Sequence, residues 1–192
     1  MDVVDRARPR PRAGRPGAQS AGFTLTELLI TMGLAVILTV GVIPSFRTIL
    51  ANNRVSAAVN KLVAHLQAAR SEAVRNGRQA ILCPSVDGQR CERTNQWHRG
   101  WMIYADTNRN RRRDPEERVT RVHGPLTGLS IHSGRYSYRV RYRYDGSSYF
   151  SNTTFTFCDS RGAEHARAVI LSNSGRPRVS GEGPGGRGLV CP

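Results

Sequence analysis

Lysine is almost missing from this chain: Lys61 is the only one among 29 basic residues, so the positive charge is arginine. Acidic residues number only 14, which leaves a formal net charge of +15 at pH 7. Such an excess decides nothing about fold but bears on partners: a polyanion such as nucleic acid, or an anionic membrane surface. The plainer alternative is a solvated arginine surface. Catalytic signatures are absent. There is no Gly-x-Ser-x-Gly, no phosphate loop and no His-Glu-x-x-His. His65, His98, His123, His132 and His165 are scattered. The chain reads as a non-enzyme with no cofactor. No CxxC pair occurs and no histidine stands at zinc-ligand spacing from a cysteine, so no metal centre is expected. The four cysteines, Cys83, Cys91, Cys158 and Cys191, fit two disulfides in an oxidising compartment. Three pairings are possible. Cys83–Cys91, closing a short loop, with Cys158–Cys191, pinning the C-terminal tail, is favoured over four reduced thiols.

Residues 1–21 show no apolar period and are rich in Pro, Arg and Gly, so they cannot form a core and are expected to be disordered. Residues 1–22 carry a net +3, leaving +12 for the remainder. At Phe23 the composition changes. Residues 23–43 are apolar except for four Thr and Glu27. At 1.5 Å rise per residue, a helix of that length covers about 30 Å, enough to cross a bilayer. The arginine-rich side precedes it, which places the N-terminus in the cytoplasm and exports the rest. A cleaved secretory signal would need a small-residue site after the apolar run. Pro44-Ser45-Phe46-Arg47 provides none. Glu27 inside a membrane helix is costly and marks a function or a partner.

Beyond Pro44, Val55, Val59, Leu62, Leu66, Ala69 and Ala73 recur at steps of three and four, with polar residues on the other faces. Gly77 is a helix stop. This predicts one helix from about residue 24 to 76, with Pro44 able to kink it. Short segments rich in β-branched and aromatic residues follow. They predict strands at 79–83, 100–105, 118–122, 129–132, 137–144, 153–158, 166–172 and 178–179. Within the fifth, Tyr138, Val140, Tyr142 and Tyr144 alternate with Arg139, Arg141 and Arg143. The architecture is α+β, a long helix packed on an antiparallel sheet.

Gly22-Phe23-Thr24-Leu25-Thr26-Glu27-Leu28 resembles the processing motif of type IV prepilins. The resemblance implies that a prepilin peptidase cuts between Gly22 and Phe23 and methylates the new N-terminal Phe23. It also implies that Glu27 pairs with the terminal amine of a neighbouring subunit during assembly. An unpaired carboxylate and an unpaired ammonium are both expensive in hydrocarbon, so each specifies the other. The leader, at 22 residues, is long for the family. Further on, the chain is similar to the FimT/GspH branch of minor pilins and pseudopilins. The marks are Gly100-Trp101-Met102-Ile103-Tyr104-Ala105-Asp106, Phe157-Cys158-Asp159 with Arg161-Gly162, Ala168-Val169-Ile170-Leu171-Ser172, and Cys191. The expected organisation is a cleaved leader (1–22), a transmembrane and assembly half of the helix (23–43), an amphipathic half (44–77) and a periplasmic β-rich domain (78–192). The protein would sit in the bacterial inner membrane until built with other pilins into a pilus or pseudopilus.

Gly175-Arg176-Pro177-Arg178 resembles a Gly-Arg-x-Arg element associated with DNA binding in FimT-like proteins. Arginines two apart on an extended segment share a side, and guanidinium forks fit phosphate oxygens. The resemblance implies a DNA-uptake minor pilin of natural transformation that grips DNA without reading sequence. Arg135, Arg139, Arg141, Arg143 and Arg161 are weaker candidates for extending the patch. Tyr136, Tyr138, Tyr142 and Tyr144 could stack bases, or line the core. The alternatives are a type II secretion pseudopilin or a pilus-priming subunit without a DNA role. Asp106, Asn108, Asn110, Asp114 and Glu117 match a calcium-loop spacing, but Arg111 replaces the glycine that loop needs. A solvated Asx-rich turn is the better reading.

Overall fold

Thr24 opens the helix. Its backbone is extended and its Oγ1 accepts the Glu27 N–H at 3.2 Å, satisfying one of the donors that a helix start leaves bare. Helix α1 spans Leu25–Ile37, a π-helical turn spans Leu38–Val42, and helix α2 spans Ile43–Asn76. The computed structural model describes residues 22–135 and 137–192; the expected leader up to residue 21 and Tyr136 lie outside the described residues, as does the Pro44 side chain. The π turn is the irregularity next to Pro44, which has no N–H to offer the carbonyl four residues back. The described chain divides into two compact units between Ser45 and Phe46.

In the first unit α1 buries no side chain. The helix that includes it is long and apolar enough to cross a membrane. In the second unit the predicted stripe of α2 is the core face: Val55, Val59, Leu62, Leu66, Ala69 and Ala73 are all buried. The helix ends in a Schellman motif, with Arg78 N–H donating to Ala73 O at 3.2 Å and Gly77 N–H to Val74 O at 3.4 Å. Gly77 has φ +61°, the left-handed conformation this motif requires.

Eight antiparallel strands follow: β1 Gln79–Pro84, β2 Trp101–Asp106, β3 Val119–His123, β4 Ser130–His132, β5 Val140–Tyr142, β6 Thr153–Cys158, β7 Arg167–Leu171 and β8 Pro177–Ser180. They form two four-stranded sheets, ordered β3-β2-β1-β5 and β4-β6-β7-β8. One core lies under α2 and draws on both sheets, including Leu82, Trp101 and Ile103 from the first and Phe155, Phe157 and Val169 from the second. On the far face of the first sheet, Ile81, Cys83, Met102 and Tyr104 make a smaller cluster. The alternation of β1 and β2 between these two clusters is the period of two in a sheet covered on both sides.

β5 is shorter than residues 137–144 because β1 offers it only Ala80, Ile81 and Leu82 as partners. The alternation predicted there holds at its centre: Val140 and Tyr142 are buried, with Arg141 between them less so. Cys83–Cys91 ties the end of β1 to the loop after it, and Cys158–Cys191 fastens the chain beyond β8 to the end of β6.

Candidate functional site

The turn before β8 is built by Gly175. Its N–H donates to Ser172 O at 3.0 Å and its φ is +75°. It is buried, and a Cβ there would overlap the Gly146 carbonyl oxygen. Gly175 is therefore a turn and packing residue, not a surface that a ligand touches, which corrects its place among the expected DNA contacts. What it positions is β8, an edge strand opened by Pro177, where a missing N–H costs no ladder bond. Arg176 and Arg178 are both exposed, and neither guanidinium makes a hydrogen bond or ion pair with another described residue.

The weaker arginine candidates separate. Arg161 is withdrawn from any phosphate patch. Its guanidinium is held by Asp159, at 2.6 Å to Oδ2, and it reaches α2 through Asn52 Oδ1 at 2.8 Å. The hydrogen bond from Arg161 holds the Asp159 carboxyl below the usual carboxylate range. Arg161 is thus a neutralised bracket between the β6 end and the helix. Arg135 is exposed on the turn closed by Ser137 N–H to Gly134 O at 2.8 Å. Arg143 lies 5.8 Å over the Tyr144 ring. Tyr142 is closed to solvent and cannot stack on a base.

Arg139 and Arg141 are brought together with Arg111, from the loop after β2, around one concavity of about 330 Å³. Arg139 Nη1 donates to Arg111 O at 2.7 Å, and its guanidinium carbon lies 4.8 Å from the centre of the Tyr138 ring. Arg141 Nη2 donates to Tyr149 O at 3.3 Å. Burial, then Arg111 and Arg143, lower the pKa of Arg141.

The Asx-rich loop is closed by protein donors. Glu117 accepts the N–H groups of Thr107, at 2.7 Å, and Asp114, at 3.1 Å. Asp114 accepts both Asn108 and Asn110 side-chain amides at 2.7 Å. Asp106 is fully buried, which raises its pKa, and it accepts the Arg111 N–H at 3.2 Å.

At the other end of the chain, Gly22, Phe23 and Glu27 are exposed. The Glu27 carboxylate has no partner among the described residues.

A family model described as "Type II transport protein GspH" matches residues 58–175. The chain belongs to the GspH family. That match starts inside α2, takes in both sheets as far as β7 and stops at Gly175, so Arg176 and Arg178 lie just past it. Two solved structures share the GspH-family fold, both of the type IV minor pilin FimU from Pseudomonas aeruginosa strain PAO1, in different crystal forms. One is 22% identical with a TM-score of 0.54, over 67% of this chain and 89% of that one. The other is 23% identical with a TM-score of 0.50, over 65% and 91%. No curated protein matches the sequence. The protein is thus a GspH-family chain with a minor-pilin fold, and its N-terminal helix is long and apolar enough to cross a membrane.

Sequence reasoning missed the participation of Arg111 beside Arg139 and Arg141. Its cue was faint: four basic residues fall between Arg109 and Arg113, in a loop dismissed for calcium.

Proposed function

We propose that this GspH-family protein is a minor type IV pilin that holds DNA on the pilus, at or near its tip, without reading sequence. Arg176 and Arg178 carry the grip. The observation behind this reading is their placement: two exposed, unpaired guanidinium groups, Arg176 just before and Arg178 within an edge strand whose entry Gly175 and Pro177 fix. Their donors are available to phosphate oxygens, and phosphate contacts carry no sequence information. Assembly follows the prepilin route in this reading. A prepilin peptidase cuts between Gly22 and Phe23, Phe23 is methylated, and the unpaired Glu27 meets the terminal amine of a neighbouring pilin in the membrane. The β-domain then faces the periplasm, the helix stays in the inner membrane until assembly, and the protein catalyses nothing. DNA held this way would be drawn inward when the pilus retracts, as natural transformation requires.

The test is duplex binding by the full chain in a non-ionic detergent, titrated across salt concentrations. The expected result is binding that weakens steeply with salt. In Arg176→Ala/Arg178→Ala the salt slope should fall by about 2, at roughly 0.9 per phosphate contact. Binding that the double variant leaves unchanged overturns the assignment of these arginines. No duplex binding at low salt favours the second reading, a type II secretion pseudopilin or priming subunit, which the description of the matching family supports.

A further inference from the structure

The concavity beside β5 continues into a second of about 550 Å³, and the two share Arg111, Tyr138 and Arg139. Arg90, Arg93, Arg112 and Arg113 join the lining in the second part. The result is a track, not a single hole.

Its arginines are held without being neutralised. Arg139 rests on a backbone carbonyl and the Tyr138 ring, and Arg141 on a backbone carbonyl. Arg93 lies on the same ring, 5.5 Å from its centre. Of the lining arginines only Arg90 forms an ion pair among the described residues, with Asp87 at 3.5 Å at the outer end of the second part. Of the nearby carboxylates, Asp106 accepts the Arg111 N–H on Oδ2 while its Oδ1 is buried without a partner, Asp114 accepts two Asn amides, and Glu117 two backbone N–H groups. Asp114 feels the charge of Arg112 and Arg113 but pairs with neither. The Nε–H groups of Arg113, Arg139 and Arg141 are buried without any acceptor. A buried donor left unmade costs free energy, and these three lie along the track; being closed to solvent, they do not themselves meet a ligand. Arginine donors converging with fixed geometry ask for a run of anions.

Aromatic rings interleave with the charge. Tyr138 forms the floor between the two halves. Phe150 stands at the rim, 90% exposed and at φ +62°, a conformation that a bulky residue adopts only when its surroundings impose it. A repeating anion with planar groups between its charges would use both features.

We infer that this track is a second nucleic-acid site, separate from Arg176 and Arg178. It takes a single strand, with phosphates on the arginines and an unstacked base against Phe150. A duplex keeps its bases stacked inside and has none to offer the ring. The inference stands on the groove alone and does not depend on the proposed role of β8.

The experiment is fluorescence anisotropy with a short labelled oligothymidylate and the full chain in non-ionic detergent. A matching duplex and poly-glutamate serve as competitors. Arg111→Gln/Arg112→Gln changes exposed side chains only and should weaken the single strand by about tenfold, with a shallower salt slope. Phe150→Gly removes the ring, relaxes the backbone there, and should weaken it by about fivefold. Both variants should melt with the parent protein. Arg176→Ala/Arg178→Ala should leave the oligothymidylate affinity within about twofold while duplex binding falls. Unchanged oligothymidylate binding in Arg111→Gln/Arg112→Gln overturns the inference. So does displacement by poly-glutamate at equal charge, which would assign the groove to an acidic protein segment. If instead the β8 variant binds duplex normally, the proposed function fails and this site stands.

Discussion

Between Leu25 and Ile37 the helix buries no side chain, whereas between Val55 and Ala73 a stripe of six is almost closed to solvent. Both stretches are rich in aliphatic residues, so hydrophobicity alone does not decide which one makes a core. Arrangement does. The first half, Glu27 and its threonines aside, is apolar with no separate stripe to mark one face for a core. The second half places Asn60, Lys61, Gln67 and Arg70 off its stripe, so a single rotation of the helix satisfies both water and the sheets. One half keeps every described side chain out of a core, and the other is written for its own chain.

The largest expected effect tests that division directly. Leu66 is fully buried, and Leu66→Ala should destabilise the second unit by about 2–5 kcal/mol. Leu29 is 62% exposed, and Leu29→Ala should move the same quantity by no more than about 0.5 kcal/mol. Denaturant titration in detergent, followed by the fluorescence of buried Trp97 and Trp101, measures both. Equal costs would break the comparison, because the apolar half would then be packing on the domain.

A smaller effect separates the glycines of the two halves. Gly77 closes α2 at φ +61°, and Gly77→Ala should cost about 1–2 kcal/mol, the penalty of a Cβ in the left-handed region. Gly33 sits inside α1 with nothing within 4 Å of a built Cβ, so Gly33→Ala should cost the fold nothing. Melting temperatures of the two variants report this. A loss at Gly33 would show that the bare helix has a close partner.

The stripe, the Gly77 stop and all eight strands were legible because each is a local signal: a period, a turn residue, a β-branched run. The division of the β-domain into two sheets was not, since it depends on pairings such as β1 with β5, which lie far apart in sequence. Arg161 could have been read better. Asp159 stands two residues before it, close enough in sequence to suggest the ion pair that removes it from the DNA candidates. The groove was hidden for the opposite reason. Its arginines come from three separate loops and β5, and the turn that presents Arg111 has φ +62° without a glycine to announce it.

The smallest effect concerns the one imidazole on the packed half. His65 Nδ1 accepts the Trp101 Nε1–H at 2.7 Å, a bond that only the unprotonated nitrogen can make. His123, stacked on Trp101 with centroids 4.2 Å apart, and the cations Arg121 and Lys61 face the same imidazole. Burial, then these positive neighbours, lower the His65 pKa to about 4. The folded state therefore binds this proton less readily than the unfolded chain, where the ordinary value is near 6.5. Stability from this group is complete above the unfolded value, declines as pH falls below about 6.5, and is lost once pH passes below about 4. His132, also lowered by burial, acts in the same direction, while Asp106, raised by burial, acts against it. The difference between the wild type and His65→Gln isolates the group, since glutamine can still offer an acceptor but does not titrate. The wild type should lose more stability between pH 7 and pH 4.5 than the variant does. Parallel profiles would mean that Trp101 does not depend on an unprotonated His65, and that even the packed half of the helix meets the sheet through apolar contact alone.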